Sequence, residues 1–334
     1  MKAHTHRPAK RGFTLLELIV AMAITTIIVT VLVSVTSVAL DTFNRSRSEL
    51  RASRQAKSMI DSMARDLEAL VIRSGNSSQW LSATSLGADP IGDNLPSTSA
   101  AKLIFFTTAT DRYDGEIGSS NPDDRGGDVS CVAYQLRFSD PVQPTVNSNI
   151  NTFVLNRLLV NPDMTFTQIL GKTDSQATPP VTLSAIFEGY NGMLSQTTNL
   201  TAGNNFIAEN IYQFTLIFNV QLALPSSSGP PTYVMVPIYV GLPNADGLNT
   251  DNFVESLEMN GDSLTVSSGI ANYTVDDLKA GKVLSITVAV TAISDFAIDQ
   301  SRGRAGLRNN PDQRADFLDK NSYQYTKTVQ IPGR

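Results

Sequence analysis

Histidine is almost missing from this chain. Of 334 residues only His4 and His6 are histidine, and only Cys131 is cysteine. One cysteine excludes an intrachain disulfide, and a lone thiol is expected to be buried. Beyond residue 6 there is no imidazole, so Ser-His-Asp and Cys-His nucleophile systems and His-based zinc sites have nothing to build on. Carboxylate or lysine chemistry stays open, yet the expectation is a protein that is not an enzyme. Charge is also scarce, at 17% of residues with a formal net charge of −5. That balance gives no reason to expect a nucleic-acid partner. The Gly-rich piece Asp124-Arg125-Gly126-Gly127-Asp128 lacks a Gly-Lys-Ser/Thr ending and is not a phosphate loop.

Proline and glycine are absent from residues 13–73. Phe13–Leu40 is a run of 28 residues with one charge, Glu17. As a helix it would reach roughly 42 Å, more than a hydrocarbon core of about 30 Å. Lys10 and Arg11 flank its start, which puts that end in the cytoplasm. A signal peptide has a shorter apolar core followed by its cleavage site. Here the Gly12-Phe13 junction precedes the run. A carboxylate five residues into a membrane segment is costly unless it is paired, so Glu17 is a functional candidate.

The helical pattern continues through residue 73. Leu50, Ala56, Met59, Ile60, Met63, Leu67 and Leu70 recur at spacings of mostly three and four. This stripe is expected to pack on a sheet, with a partner-helix seam as the alternative. The charged residues from Arg45 to Arg73, Asp61 and Asp66 among them, mostly fall on other faces. Ser74, Gly75 and Asn76 supply stop chemistry.

After residue 74 the chain is rich in Gly, Pro, Ser, Thr and Asn, and its signals are β-like. Strands are expected at 102–108, 128–138, 152–160, 181–187, 210–222, 233–241 and 283–293. Residues 255–259 and 274–280 read as short helices. Residues 75–100, 139–151, 222–232, 242–262 and 302–308 read as loops, and 323–331 as an added edge strand. Trp80 is expected in the core. The fold class is α+β: a long amino-terminal helix on a mainly antiparallel β head.

Residues Gly12, Phe13, Thr14, Leu15, Leu16 and Glu17, with the apolar run behind them, resemble the start of type IV pilins and type II secretion pseudopilins. The resemblance implies a leader at 1–12, cleavage by a prepilin peptidase between Gly12 and Phe13, and methylation of the new amine. It divides the rest into a transmembrane assembly helix at 13–40, an amphipathic helix at 41–73 and an extracytoplasmic β-rich head at 74–334. It makes Glu17 the fifth mature residue, whose carboxylate meets a neighbouring subunit's amine. The physics agrees, since a buried carboxylate and ammonium offset each other's desolvation only when they meet. Losing residues 1–12 takes the 26 basic side chains to 22 against 31 acidic ones, a net −9.

Ser34 stands where major pilins of the family often have a kinking proline, so a continuous helix and a minor subunit are implied. The partners implied are other pilins or pseudopilins and an inner-membrane assembly platform. Arg65-Asp66-Leu67, Val132–Leu136, Asn156-Arg157-Leu158, Ile211–Leu216 and Leu284–Val290 are similar to segments of the J-type minor pseudopilin. A minor type IV pilin for adhesion, motility or DNA uptake, a pilin-anchored binding module, and prepilin-like proteins of the Verru_Chthon cassette are the alternatives.

No cofactor is implied. Two acidic loops have the oxygen chemistry calcium prefers: Asp111, Asp114, Glu116, Asp123, Asp124 and Asp128, and Asp246, Asn249, Asp251 and Asn252. Neither has the alternation of an EF-hand, and solvated loop acids are the simpler reading.

Overall fold

No residue from Leu15 to Glu68 interrupts a helix, and the chain forms one α-helix, α1, over all 54 of them (Leu15–Glu68). The computed structural model describes residues 12, 14–73, 75, 78–86, 91–92, 95–108, 128–141, 151–160, 162, 165–170, 182–187, 205–224, 230–241 and 252–331. Two compact units divide between Ser48 and Glu49.

In the first unit the large apolar side chains of α1, from Leu15 to Phe43, are exposed. In the second, Ala52, Ala56, Met59, Ile60, Met63, Ala64 and Leu67 are buried. Their spacing keeps them on one face. Leu50 does not belong to that face; it is 55% exposed, lying two positions and about 200° from Ala52. The helix ends at Glu68 rather than near residue 73. Thr107 Oγ1 donates to the Asp66 carbonyl at 3.0 Å, and Val71 N–H donates to the Phe106 carbonyl at 2.8 Å. The last turn is thus captured by a strand end before the helix can continue.

The head holds strands β1 (Gln79–Ser85), β2 (Ala101–Thr107), β3 (Ser130–Ser139), β4 (Thr152–Val160), β5 (Phe206–Glu209), β6 (Ile211–Leu224), β7 (Thr232–Val240), β8 (Phe253–Val254), β9 (Ser256–Asn260), β10 (Ser263–Val266), β11 (Lys282–Ile293) and β12 (Ser322–Gln330). Its short helices are α2 (Leu183–Phe187), α3 (Val275–Lys279), α4 (Asp295–Gly303), α5 (Ala305–Asn309) and α6 (Pro311–Asn321). A seven-stranded sheet runs β10-β9-β1-β2-β3-β4-β5, and a five-stranded sheet runs β12-β11-β6-β7-β8. Every pairing is antiparallel except the short β7–β8 contact. A helix ahead of two mainly antiparallel sheets is the α+β class read from the sequence.

All seven residues of β2 are buried, as a central strand covered on both faces requires. Trp80 and Cys131 are buried too, and Trp80 Nε1 donates to the Gly261 carbonyl at 2.8 Å. Where β7 ends, Gly241 has φ +94°, and a Cβ there would sit 2.8 Å from the Phe214 carbonyl, so a side chain is excluded on both counts.

Several sequence expectations are corrected. Of the strand expected at 181–187, the described residues 182–187 form none: Thr182 Oγ1 accepts from Ala185 N–H at 3.2 Å and starts α2 instead. Residues 255–259 form β9, not a helix. The Asn260-Gly261-Asp262 turn (Gly261 φ +58°) folds β10 onto β9, and β9 pairs with β1, so tertiary pairing overrides the helix-forming Leu, Glu and Met. The span 75–100 contains β1, and 242–262 contains β8 and β9. The segment 302–308 is helical, between the Ser294 cap of α4 and the Asn310 cap with Pro311 that opens α6. Residues 274–280 hold the expected helix, α3, with a Thr274–Asp277 capping box, and β12 is the expected edge strand.

Candidate functional site

The Thr14-Leu15-Leu16-Glu17 run closes on itself at the start of α1. Thr14 N–H donates to Glu17 Oε2 at 2.9 Å and Thr14 Oγ1 donates to the same oxygen at 3.0 Å. Glu17 N–H donates back to Thr14 Oγ1 at 3.3 Å. This is a reciprocal capping box, which satisfies the first backbone donors of a helix. Among the described residues Glu17 Oε1 accepts no hydrogen bond, so one carboxylate oxygen caps and the other is open. The signal is in the sequence, as Thr-x-x-Glu ahead of an apolar run. Gly12 is exposed, and Phe13 lies outside the described residues.

Behind this cap the helix satisfies its threonines internally. Thr25, Thr26, Thr30, Thr36 and Thr42 each donate from Oγ1 to the carbonyl four residues earlier, at 2.8 Å. The apolar stretch has a mean hydropathy of 2.7 in its most apolar window. It is long enough to cross a membrane, and none of that window is buried within the chain.

In the head, α1 is tied down by a buried charged network. Asp66, buried, accepts at Oδ2 from Tyr134 Oη at 2.5 Å and from Arg157 Nε at 2.7 Å. Arg157 Nη2 donates to Oδ1 at 3.2 Å, which makes the pair bidentate. Tyr134 and Arg157 face each other across β3 and β4. Burial raises the Tyr134 hydroxyl well above its ordinary pKa, with the Asp66 charge adding to the rise. The sequence pattern groups Asp66 with the solvent-facing charges, and the structure corrects this. Its place one residue before Leu67 on the buried stripe is the signal that could have found it.

A second cluster lies one end further along. Arg51 pairs with Glu209, and its Nη1 lies 3.7 Å from Asp295 Oδ2. Gln55 Nε2 donates to Glu209 at 3.2 Å. Asn210, buried at φ 65°, donates to Asp295 Oδ1 at 2.7 Å. These contacts join α1, β5, the β5–β6 corner and the start of α4.

The candidate calcium residues Asp111, Asp114, Glu116, Asp123 and Asp124, and Asp246, Asn249 and Asp251, lie outside the described residues; Asp128 is exposed. Among the described residues no three His, Cys, Asp or Glu side chains group as metal ligands do. A surface cavity of about 510 Å³ lies along β7 and β8, lined by Met235, Tyr239, Phe253 and Tyr273 among others. The Cys131 thiol is pushed up by burial, away from reactivity.

Glu258, on β9, is half-buried, and burial raises its carboxyl above the ordinary value of 4.5. A carboxyl raised in the folded state contributes stability below its unfolded pKa and loses it as pH rises through the folded value. Glu258→Gln is therefore expected to raise the melting temperature at neutral pH. Thermal melts over a pH series would show the gain shrinking towards 4.5.

Fold and site together define an α+β protein whose long apolar helix fits a membrane anchor, with a carboxylate at the head of that helix. Residues 7–33 match the prokaryotic N-terminal methylation motif, and this supports the type IV pilin and pseudopilin superfamily. Proteins of that superfamily are generally structural, processed by a prepilin peptidase and assembled with other pilins. A type IV-like pilin from Thermus thermophilus is 12% identical, with 84% of this chain and 96% of that chain covered and a TM-score of 0.29. No curated protein sequence matches.

Proposed function

We propose that this chain is a non-enzymatic minor pseudopilin that joins a short type II secretion-like pseudopilus. The observation that carries the reading is the start of α1: a carboxylate with one open oxygen, fifth after the Gly12-Phe13 junction, at the head of a helix whose apolar sides are bare. Gly12 and Phe13 form the cleavage and methylation site, and Glu17 pairs with a neighbouring subunit's terminal amine. Residues 1–12 are the leader, 13–40 the transmembrane assembly helix, 41–73 the amphipathic continuation and 74–334 the head. The mature protein stands in the inner membrane with its head outside the cytoplasm and assembles on an inner-membrane platform.

The uninterrupted helix, with Ser34 where a kinking proline often stands, supports a minor rather than a bulk subunit. The order of β3, β4, β6 and β11, and Asp66 late in α1, support the J-type role. Mass spectrometry of membrane-extracted protein tests the reading. The expected amino terminus is N-methylated Phe13; a terminus at Met1, or one beyond the apolar run, overturns it. A secretin and a full pseudopilin set in the neighbouring genes favour secretion, whereas a retraction ATPase favours a pilus.

A further inference from the structure

β12 is the outermost strand of the five-stranded sheet and pairs with β11 along all of Ser322–Gln330 without a register shift. Ile331 N–H donates to the Leu284 carbonyl at 2.9 Å, which fixes the phase of this ladder. Residues 323, 325, 327 and 329 turn their backbone groups towards β11, and Gln324, Thr326, Thr328 and Gln330 turn theirs away. All four of the latter are exposed, and among the described residues no hydrogen bond meets their outward backbone groups.

Folded proteins blunt such an edge with proline, a bulge or an outward charge. The other flank of this sheet shows those devices. Tyr239 N–H donates to the Asn252 carbonyl at 2.9 Å, so the odd positions of β7 face outward; Pro237 sits at one of them, and β8 covers the strand's end. β12 has no proline and no bulge, and its one charge, Lys327, is drawn onto Asp61 at 2.7 Å.

We propose that β12 pairs antiparallel with β12 of a second copy of this chain, joining two five-stranded sheets into one. The proposal rests on the assembly reading above. The strand supports this occupant by its own self-complementarity. Its midpoint is Thr326, an outward-facing residue, so a dyad there pairs the whole strand. Each facing pair then exchanges two backbone hydrogen bonds: Thr326 with its counterpart, and Gln324 of one copy with Thr328 of the other. Tyr325 of one copy faces Lys327 of the other, and Tyr323 faces Val329. No like charges meet, and threonine and aromatic–aliphatic pairs are favourable across strands. Lys57 already sits 5.9 Å from the Tyr325 ring centroid, so this ring accepts a cation.

The test uses the full-length chain in membranes, expressed without other pilin-class subunits. Thr326→Cys is expected to give a disulfide-linked homodimer under mild oxidation, since facing residues of a hydrogen-bonded pair lie about 5.5 Å apart at Cα, within disulfide range. Cys131 is buried, and Thr232→Cys, exposed on β7, is expected to stay uncrosslinked. Thr326→Pro removes an N–H that the β11 ladder does not use. It is expected to abolish the homodimer with the melting temperature unchanged; if it unfolds the head, the Thr326→Cys crosslink decides. Two results overturn the proposal: a Thr326→Cys thiol that alkylates freely yet never crosslinks, or a homodimer that survives Thr326→Pro in a folded head. A homodimer in a chain whose terminus is not methylated Phe13 overturns the pseudopilin reading and leaves the edge pairing standing.

Discussion

Asp66→Ala is expected to destabilise the head by about 3–5 kcal/mol, the usual cost of removing one partner of a buried ion pair. The loss has two parts. Arg157 keeps a guanidinium that is mostly enclosed with its bidentate acceptor gone, and the buried Tyr134 hydroxyl loses its 2.5 Å acceptor. Chemical denaturation of the wild type and variant, compared at equal slope, measures it. Replacing the three polar members together, as Asp66→Leu, Tyr134→Phe and Arg157→Met, is expected to cost much less, because nothing is then left uncompensated. If Asp66→Ala unfolds within about 1 kcal/mol of wild type, the network does not anchor the helix to the sheet.

The second large effect is on assembly. Glu17→Ala and Glu17→Gln are both expected to pass through leader cleavage and both to lose most co-purification with partner pilins, since each removes the charge proposed above to meet a neighbouring amine. They differ at the helix start. Glutamine keeps an acceptor for Thr14 and so keeps the capping box; alanine does not. Fraying of the first turn is thus expected only in Glu17→Ala. Hydrogen exchange of the early amides reads the cap, and co-purification reads the charge. Assembly retained by Glu17→Gln would falsify the charge-pairing role and leave the cap as the function of this residue.

The parts of this molecule that are legible in sequence are those set by local pattern. The apolar run, the buried stripe from Ala56 to Leu67, and the β-branched and aromatic runs of β3, β4, β6 and β11 announce themselves through local composition and spacing. β9 escapes such a reading because the deciding forces are not local: the strand pairing of β1 and the hairpin at Gly261 outweigh the propensity of five residues. The Asp66 network is hidden for the same reason. Its members are 68 and 91 residues apart, and nothing near Asp66 says that Tyr134 and Arg157 will stand side by side. The amino-terminal site is readable as chemistry, since a lone carboxylate in an apolar run demands a partner. Its self-capping by Thr14 is equally local, and Thr-x-x-Glu spells it.

The five threonines of the apolar helix carry a consequence for how such a subunit changes surroundings. Each of these five hydroxyls is already spent on its own helix, so the threonines add no preference for lipid or protein. Moving that helix from acyl chains to neighbouring helices trades one set of dispersion contacts for another of similar strength. The flanks can therefore slide and exchange with little selectivity. On the assembly reading proposed above, recognition of a neighbour and of the axial step rests on polar groups left open, among them the Glu17 carboxylate at the tip, Ser34 and Ser37 along the helix, and the surfaces of the head.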